Sequence, residues 1–393
     1  MKIAILTSGI LPVPAVKGGA VENLIDFYLE YNDRHGLHDI TVYSVGDRAT
    51  SGHPALLSAV NHYRYIDISS PMAKLRKKWF QLTRRQGYYH YTIMYFLSQA
   101  LRQIRKERFD LILLENRVGF ALQLSGVVRT PLVYHLHNDF LNTSTPHGSE
   151  LCRASAAIIC ISGFIAKRVE AIGVCGTVCK TVFNAIDTGR FSRAAALPRT
   201  TLGLREDDFV VVYSGRLIPE KGILQLIQAL QRLDDIPQLK LLIIGASAYG
   251  RDKEPSPFVQ QLEAAAEAVR DKVVFTGFVD YSDIPSYLKM ADLAVVPSLW
   301  EEPFGLTVIE AMAASLPLVT TRSGGIPEVC EGVATIIDKD DSLVAKLADA
   351  ILDIYRHPEK RRQMGEAASE RSKQFDKDTY ARNFLEALTA TSR

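Results

Sequence analysis

The sequence predicts an α/β protein of two doubly wound domains, in which parallel strands alternate with helices. Short apolar segments such as Lys2–Leu6 and Leu293–Pro297 are typical of strands buried on both faces of a parallel sheet. Loops rich in glycine, proline or charged residues follow these segments, and helical patterns follow the loops. The length of 393 residues exceeds that of one ordinary core, which favours two domains.

Composition indicates a globular protein of a reducing compartment. The chain is 47% hydrophobic and 23% charged, and its five cysteines are odd in number and scattered. Cys175 and Cys179 have no nearby histidine or cysteine pair to complete a metal site, so we expect free thiols. We find no signal-peptide pattern and no run of about 18 apolar residues, so we expect a cytoplasmic protein.

Charge is distributed unevenly along the chain. Residues 1–183 carry 21 lysines and arginines against 13 acidic residues, a net +8, and residues 184–393 carry 25 against 31, a net −6. Halves of opposite sign predict two domains with different partners. A polar stretch containing Pro198 indicates a linker, and we predict domains over 1–182 and 183–372, with a last helical segment over 373–393.

The first domain should place two functional loops at strand ends. The predicted strands are Lys2–Leu6, Ile40–Val45, Asp110–Leu114, Pro131–Phe140 and Ala156–Ser162. Gly18 and Gly19 lie between the first strand and a helical pattern, where backbone can approach a phosphate closely. The loop lacks the G-x-G-x-x-G fingerprint of dinucleotide-binding proteins. His135 and His137 point to the same side of their strand, where each could line a site or only pack.

A basic segment with aromatic residues has no acidic residue between Ile68 and Lys106. Its cations are Lys74, Arg76, Lys77, Lys78, Arg84, Arg85, Arg102, Arg105 and Lys106. Its aromatic residues are Trp79, Phe80, Tyr88, Tyr89, Tyr91, Tyr95 and Phe96. The pattern over 74–106 fits an amphipathic surface that lies on an anionic membrane, although a solvated helical face would look similar. No nucleic-acid-binding motif accompanies it, so we predict no nucleic-acid partner.

The second domain should begin with a strand over Phe209–Ser214, followed by two cations. Arg216 and Lys221 flank the end of this strand, and both are long enough to reach a diphosphate. Further strands are predicted over Leu239–Gly245 and Leu316–Thr321. Helices are predicted over Asp349–Tyr355, Glu359–Lys373 and Thr379–Leu388.

The segment Pro297–Ala314 is the most informative stretch and predicts a strand–loop–helix junction. Glu302 precedes Pro303, which keeps its backbone out of the helix. Phe304–Thr307 should form the first helical turn, whose free N–H groups suit an anion. Glu310, further along this helix, could accept from a hydroxyl. These features favour a nucleotide-sugar site, with a solvated loop as the alternative.

These motifs resemble those of the family 4 retaining glycosyltransferases of the GT-B fold. The resemblance rests on Glu302-x7-Glu310, on Ser323-Gly-Gly-Ile-Pro-Glu328 and on the complete Gly215-Arg-x-x-x-Glu-Lys-Gly222 motif. Asn184-Ala-Ile-Asp187 resembles the segment that enters the second domain, with Ala185 replacing the usual glycine. The resemblance implies two Rossmann-like domains facing a cleft, with the last helix returning to the N-terminal, acceptor-side domain.

The resemblance also implies residue roles. Arg216 and Lys221 would neutralise the donor diphosphate, Glu302 would hold donor-sugar hydroxyls, and His137 would lie against the reacting sugar. The remaining donor-binding residues would be Gly18, Gly19, Phe278, Val279, Phe304, Gly305, Leu306 and Glu310. No metal or cofactor is expected, and no covalent nucleophile is assigned.

The implied activity is transfer of a sugar from a nucleotide diphosphate, with UDP-sugar preferred, to a hydroxyl of a lipid-linked or growing bacterial surface glycan. Such a hexosyltransferase could work at the inner face of the membrane. Three alternatives stay open: a soluble synthase of the sucrose or glycogen type, a nucleotide-sugar epimerase, and a non-catalytic binding subunit. The epimerase would lack the Glu302-x7-Glu310 motif, and a binding subunit would be expected to lack Arg216, Lys221 or Glu302.

Overall fold

The computed structural model describes residues 1–83, 88–174, 176, 178–247 and 256–390. In these residues the strands are β1 (Lys2–Leu6), β2 (Asp39–Val45), β3 (Asn61–Ile66), β4 (Leu111–Glu115), β5 (Leu132–Leu136), β6 (Ala157–Cys160), β7 (Cys179–Thr181), β8 (Phe209–Ser214), β9 (Leu239–Ile244), β10 (Val273–Gly277), β11 (Leu293–Val296), β12 (Leu318–Thr321) and β13 (Thr335–Ile337).

The α-helices of the same residues are α1 (Ala20–His35), α2 (Pro71–Thr83), α3 (Tyr91–Ile104), α4 (Ala121–Leu124), α5 (Gly148–Arg153), α6 (Gly163–Glu170), α7 (Thr188–Ser192), α8 (Ile223–Gln231), α9 (Pro257–Ala266), α10 (Ile284–Lys289), α11 (Leu306–Ala313), α12 (Ile326–Cys330), α13 (Leu343–Arg356), α14 (Pro358–Ser372) and α15 (Lys377–Thr389). None of these helices is long and apolar enough to cross a membrane.

The chain divides into two compact units. Unit 1 comprises Met1–Asn184 and the segment that begins at Lys377, and unit 2 comprises Ala185–Asp376. The sequence places the corresponding divisions after residues 182 and 372. Alternation of strand and helix in both units gives two Rossmann-like domains, as the sequence predicts.

Unit 1 is built on a parallel sheet whose described strands follow the order β3-β2-β1-β4-β5-β6-β7. The order reverses between β1 and β4, and in open α/β sheets ligands bind outside the carboxyl ends of the strands at such a point. Helix α15 closes the unit by packing on α1. The rings of Tyr28 and Phe384 stack with centroids 4.6 Å apart, and Arg34 pairs with Asp378.

Unit 2 repeats this plan in the described strands, with the order β10-β9-β8-β11-β12-β13. The order reverses between β8 and β11, so the loops after these two strands lie side by side. Its core is filled by strand residues such as Val211, Leu241 and Val295, which are almost fully buried against α8 and α13. Burial on both sheet faces explains the uninterrupted apolar runs in the sequence.

Four of the described strands, β3, β7, β10 and β13, are not predicted from the sequence. Strand β3, Asn61-His-Tyr-Arg-Tyr-Ile66, is polar because it is an edge strand that pairs with β2 alone among the described strands. Strands β7, β10 and β13 likewise lie at the remaining edges of the two sheets, as the described strands are ordered. Helix α11 begins at Leu306, so the expectation that Phe304 and Gly305 belong to its first turn is wrong: Gly305 caps the helix with a φ of 113°.

The basic segment does not form one continuous surface. It forms α2 and α3, and the α3 aromatic residues Tyr95 and Phe96 are buried, because their face of the helix packs into the core. The prediction of one amphipathic surface is therefore wrong for α3. The exposed apolar residues of the segment are concentrated on α2. Arg84, Arg85 and Cys175 lie outside the described residues.

Candidate active site

Three loops of unit 1 follow the carboxyl ends of β1, β4 and β5, at and beside the reversal of strand order. The first carries Gly18 and Gly19, the second begins with Asn116 after Glu115, and the third begins with His137. Because the strands are parallel, these loops emerge at the same edge of the sheet.

The glycine loop turns tightly before α1. Gly18 and Gly19 have φ values of 70° and 109°, and a Cβ on Gly19 would lie 2.3 Å from Oε2 of Glu22. Glu22 is 5% exposed and accepts from the Ser8 hydroxyl at 3.3 Å. Burial raises the pKa of the Glu22 carboxyl above its ordinary value. Glycine is therefore required at 19 both for its backbone angle and for the space that Glu22 occupies.

Glu115, His135 and His137 form a buried trio in unit 1. Glu115 Oε2 lies 3.0 Å from His135 Nδ1 and 2.9 Å from His137 Nε2. The Tyr28 hydroxyl donates to Glu115 Oε1 at 2.9 Å. Asn116, with a φ of 56°, accepts the His137 backbone N–H through Oδ1 at 3.2 Å. The strand-end turn and the carboxylate together fix the position of the His137 ring.

Charge within the trio follows from its burial and contacts. Burial alone would raise the pKa of Glu115, but the two imidazoles outweigh it and lower that pKa to about 2. Burial, followed by the influence of His135, lowers the pKa of His137 to about 4. At neutral pH Glu115 is ionised and the His137 imidazole is neutral.

In unit 2, Lys221 and Glu302 meet at the reversal of strand order. Lys221 follows β8 and Glu302 follows β11, and Lys221 Nζ lies 2.5 Å from Glu302 Oε1. The Ser298 hydroxyl donates to the same oxygen at 2.7 Å. The side chains of Lys221 and Glu302 are 19% and 9% exposed, so the pair is only partly screened by water. Arg216, nearer the end of β8, is exposed.

Glycines allow the two loops to approach closely. A Cβ on Gly222 would lie 1.9 Å from the Pro297 carbonyl oxygen, and one on Gly324 would lie 2.1 Å from the Glu302 carbonyl oxygen. The Leu299 N–H also donates to the Glu220 carbonyl at 2.8 Å. The glycines of both sequence motifs thus set the position of the Lys221–Glu302 pair.

Glu310 lies on α11 and is 7% exposed. Burial raises the pKa of its carboxyl to about 7, although a hydrogen bond from Tyr281 opposes the shift. The guanidinium of Arg190 lies over the Tyr281 ring, 5.4 Å from its centroid. Glu310 is therefore a buried carboxyl that accepts from the Tyr281 hydroxyl, and Arg190 covers the Tyr281 ring.

The other predicted donor-binding residues differ in accessibility. Phe278 is exposed and Val279 half-buried, just after β10. The Phe304 side chain is buried with its ring centroid 5.9 Å from that of Phe375, so only its backbone is suited to contact a ligand. Gly305 caps α11 and Leu306 is its first residue.

Glu115 and Ser298 are among the residues of these arrangements that the sequence-based set lacks. Glu115 ends the apolar run Leu111-Ile-Leu-Leu-Glu115, and a carboxylate at the end of a buried strand is the signal that could have identified it. Ser298 is likewise a polar residue just after a buried strand, β11. The histidine partners of Glu115 become evident only from the strand order, which places β4 beside β5.

Comparison with known families decides the identity of the chain. The model for "Glycosyl transferases group 1" matches residues 198–371, and the model for "Glycosyltransferase Family 4" matches residues 31–190. The chain belongs to the family 4 glycosyltransferases. The matched ranges cover most of unit 2 and much of unit 1, including Glu115, His137, Lys221 and Glu302.

Relatives of this glycosyltransferase share much of its length. The putative glycosyltransferase YtcC of Bacillus subtilis is 29% identical over 85% of the chain and 78% of its own length. Spore coat protein SA of the same organism is 28% identical over 98% of both chains. A lipopolysaccharide 1,2-N-acetylglucosaminetransferase of Salmonella typhimurium is 28% identical over 75% of both.

Solved structures share the fold. HepE of Anabaena, crystallised with UDP, superposes with a TM-score of 0.73 at 24% identity over 99% of this chain and 100% of its own. Sucrose-phosphate synthase of Thermosynechococcus elongatus gives a TM-score of 0.74 at 20% identity over 99% and 98%. The GT-B fold predicted from the sequence is thereby confirmed.

Proposed function

We propose that this glycosyltransferase moves a sugar from a UDP-sugar to the hydroxyl of a lipid-linked or growing surface glycan, with retention of anomeric configuration. The observation that carries the proposal is the Lys221–Glu302 pair at the reversal of strand order in unit 2. The Ser298 hydroxyl donates a hydrogen bond to Glu302 of this pair. It combines a cation for a diphosphate with a carboxylate for sugar hydroxyls in one place.

Electrostatic stabilisation of the leaving group is the main catalytic contribution in this proposal. Breaking the bond between the anomeric carbon and the diphosphate leaves negative charge on the phosphate oxygens. Lys221, Arg216 and the N-terminus of α11 at Gly305 supply positive potential for that charge. These groups let the site work without a metal, and no protein nucleophile is required by the arrangement.

Glu302 is suited to hold the donor sugar. Among the described residues, the hydrogen bonds from Lys221 and Ser298 both end on Oε1. A carboxylate has further acceptor capacity, so Oε2 can take sugar hydroxyls while Oε1 stays anchored. Glu310 would hold the ribose, and His137 of unit 1 would meet the reacting sugar.

The preference for uridine rests on structural relatives. HepE of Anabaena has been crystallised with UDP and with UDP-glucose, and it spans the same length as this chain. We therefore propose that the donor of this chain is also a sugar linked to UDP.

Helix α2 supports a membrane-associated acceptor. Met72, Leu75, Trp79 and Leu82 recur at helical spacing and are 59%, 66%, 69% and 85% exposed. The cations Lys74, Arg76, Lys77 and Lys78 lie on the same helix, which contains no acidic residue. Such a helix can lie on an anionic surface, where each cation contributes about 1 kcal/mol. Lipid-linked acceptors at the inner face of the membrane would be presented there.

Vesicle flotation tests the acceptor part of the proposal. The wild-type chain should float with vesicles of phosphatidylglycerol and phosphatidylethanolamine but not with neutral vesicles. A Leu75→Ser/Trp79→Ser variant should lose most of this binding. Leu57→Ser removes another apolar residue of unit 1, 89% exposed but outside α2, and should float normally. Equal flotation of all three chains would contradict the role of α2.

Sugar transfer tests the donor part. Purified protein should release UDP from a UDP-sugar in the presence of acceptor lipid, in EDTA as well as in magnesium, and the product should keep the donor's anomeric configuration. Loss of activity in EDTA, or an inverted product, would refute the corresponding part of the proposal.

A further inference from the structure

The buried trio of unit 1 determines where protons lie. A carboxylate can only accept hydrogen bonds, and Glu115 is ionised at neutral pH. His135 Nδ1 and His137 Nε2, at 3.0 and 2.9 Å from Oε2, must therefore carry the hydrogens. The opposite ring nitrogens, His135 Nε2 and His137 Nδ1, then hold lone pairs.

Those opposite nitrogens are buried, and neither has a hydrogen-bond partner among the residues that the structure describes. The two imidazoles differ in their surroundings. His135 lies within β5 and its ring packs against Phe384 of α15, with centroids 4.5 Å apart. His137 lies one residue beyond β5, at the sheet edge where the functional loops emerge. The lone pair of His137 Nδ1 is thus the one suited to a ligand.

We propose that Glu115 is a positioning residue that holds His137 as the Nε2–H tautomer, so that Nδ1 accepts a hydrogen bond from a hydroxyl of the bound sugar. That a sugar lies beside His137 rests on the proposed function, whereas the tautomer does not. Glu115 touches no substrate in this assignment and acts through the imidazole alone.

A metal ion is the competing explanation of the same residues. Glu115, His135 and His137 each offer a ligand atom within 4.8 Å of the others. Coordination through His135 Nδ1 and His137 Nε2 would force hydrogens onto the opposite nitrogens, and metal-bound imidazoles ordinarily donate such an N–H to an acceptor. Neither nitrogen has an acceptor among the described residues. The Tyr28 hydroxyl also occupies Glu115 Oε1. Hydrogen bonding therefore explains the trio better than coordination.

Nitrogen-15 NMR of histidine-labelled full-length protein tests the assignment without any substrate. At pH 7 the two-bond proton–nitrogen correlations of His137 should show a protonated Nε2 and a bare Nδ1. Tyr28→Phe removes a hydroxyl from Glu115 but neither imidazole contact, and it should leave this pattern unchanged. A protonated Nδ1 in the wild-type chain, or one metal ion per chain by elemental analysis, would overturn the proposal.

Glu115→Gln tests the consequence for turnover. The amide has one acceptor oxygen and a donor N–H₂, so it should shift the His137 tautomer and lower kcat by about 100-fold while UDP affinity stays normal. Full turnover with a shifted tautomer would overturn the positioning role. If the variant fails to fold, the wild-type and Tyr28→Phe spectra still decide the tautomer. A wild-type chain that transfers no sugar would refute the proposed function separately.

Discussion

Lys221 Nζ lies 2.5 Å from Glu302 Oε1, across the two loops that follow β8 and β11. The pair joins the two sequence motifs of unit 2 that are most suggestive of a donor site. Because both side chains are largely shielded from water, removing either leaves the other poorly compensated. We therefore expect the loss of either side chain to affect both the stability of the site and its activity.

Lys221→Ala should lower kcat by about 100- to 1,000-fold, because it removes a cation that faces the developing diphosphate charge. Lys339 forms the neighbouring ion pair with Glu301 at 2.6 Å; the Lys339 side chain is 20% exposed, much like that of Lys221, but Glu301 is 57% exposed. Lys339→Ala is the matched control and should keep nearly full turnover, because the carboxylate that it leaves behind, Glu301, is largely in water. Steady-state kinetics of both variants decide the matter, and equal losses would show that the effect is not specific to Lys221.

Lys221→Met and Glu302→Gln should have strongly non-additive effects on turnover. Since the two side chains share one contact, the double variant should lose much less than the product of the single losses. Measured kcat values for the four chains complete the cycle. Strict multiplication of the two losses would mean that the residues act independently.

Gly324→Ala should lower the melting temperature and turnover together. Its φ of 52° is unfavourable for alanine, and the added Cβ would overlap the Glu302 carbonyl oxygen at 2.1 Å. Gly203, with a φ of 70° and open space around it, isolates the backbone effect. Gly203→Ala should cost only about 1–2 kcal/mol and leave turnover intact. Equal melting temperatures for the two variants would contradict the steric argument.

Glu310→Gln should become increasingly stabilising relative to wild type as pH rises. Burial raises the folded-state pKa of Glu310 to about 7 from 4.5, so the folded chain binds the proton more tightly than the unfolded chain does. The wild type therefore loses stability as pH rises from 4.5 through 7, by up to about 3 kcal/mol, whereas glutamine does not titrate.

Thermal unfolding of both chains between pH 4.5 and 8.5 measures this difference. Burial also raises the pKa of Asp26 in unit 1 to about 7. This group contributes equally to the pH dependence of the wild type and of the variant. A difference between the chains that is constant with pH would show that Glu310 does not titrate in this window.

Much of the fold could be predicted from sequence because parallel strands buried on both faces leave continuous apolar runs. The segment Lys2–Leu6 is predicted with the same bounds that the structure has. Edge strand β3 is not predicted for the opposite reason: it has one neighbour among the described strands, its His62 and Arg64 are exposed, and it carries no apolar run. The basic segment was misjudged in α3 because composition does not tell which side of a helix packs inward.

The candidate site was partly predictable for a similar reason. Arg216, Lys221 and Glu302 stand in recognisable motifs after apolar strands. Glu115 has no motif: its importance comes from the strand order that places β4 beside β5 and brings its carboxylate to two histidines. The sequence predicts that His135 and His137 point the same way, and their common contact with Glu115 confirms it.

The central claim is that unit 2 binds the nucleoside diphosphate of a sugar donor through Lys221 and Glu302. The most direct measurement is calorimetric titration of wild type, Lys221→Ala and Lys339→Ala with UDP, GDP, ADP and TDP, each in magnesium and in EDTA. We predict that UDP binds the wild type and Lys339→Ala equally in both buffers, and that Lys221→Ala binds it at least about tenfold more weakly. Binding of UDP with the same affinity to all three chains, or binding of no nucleotide to the wild type, would contradict the claim.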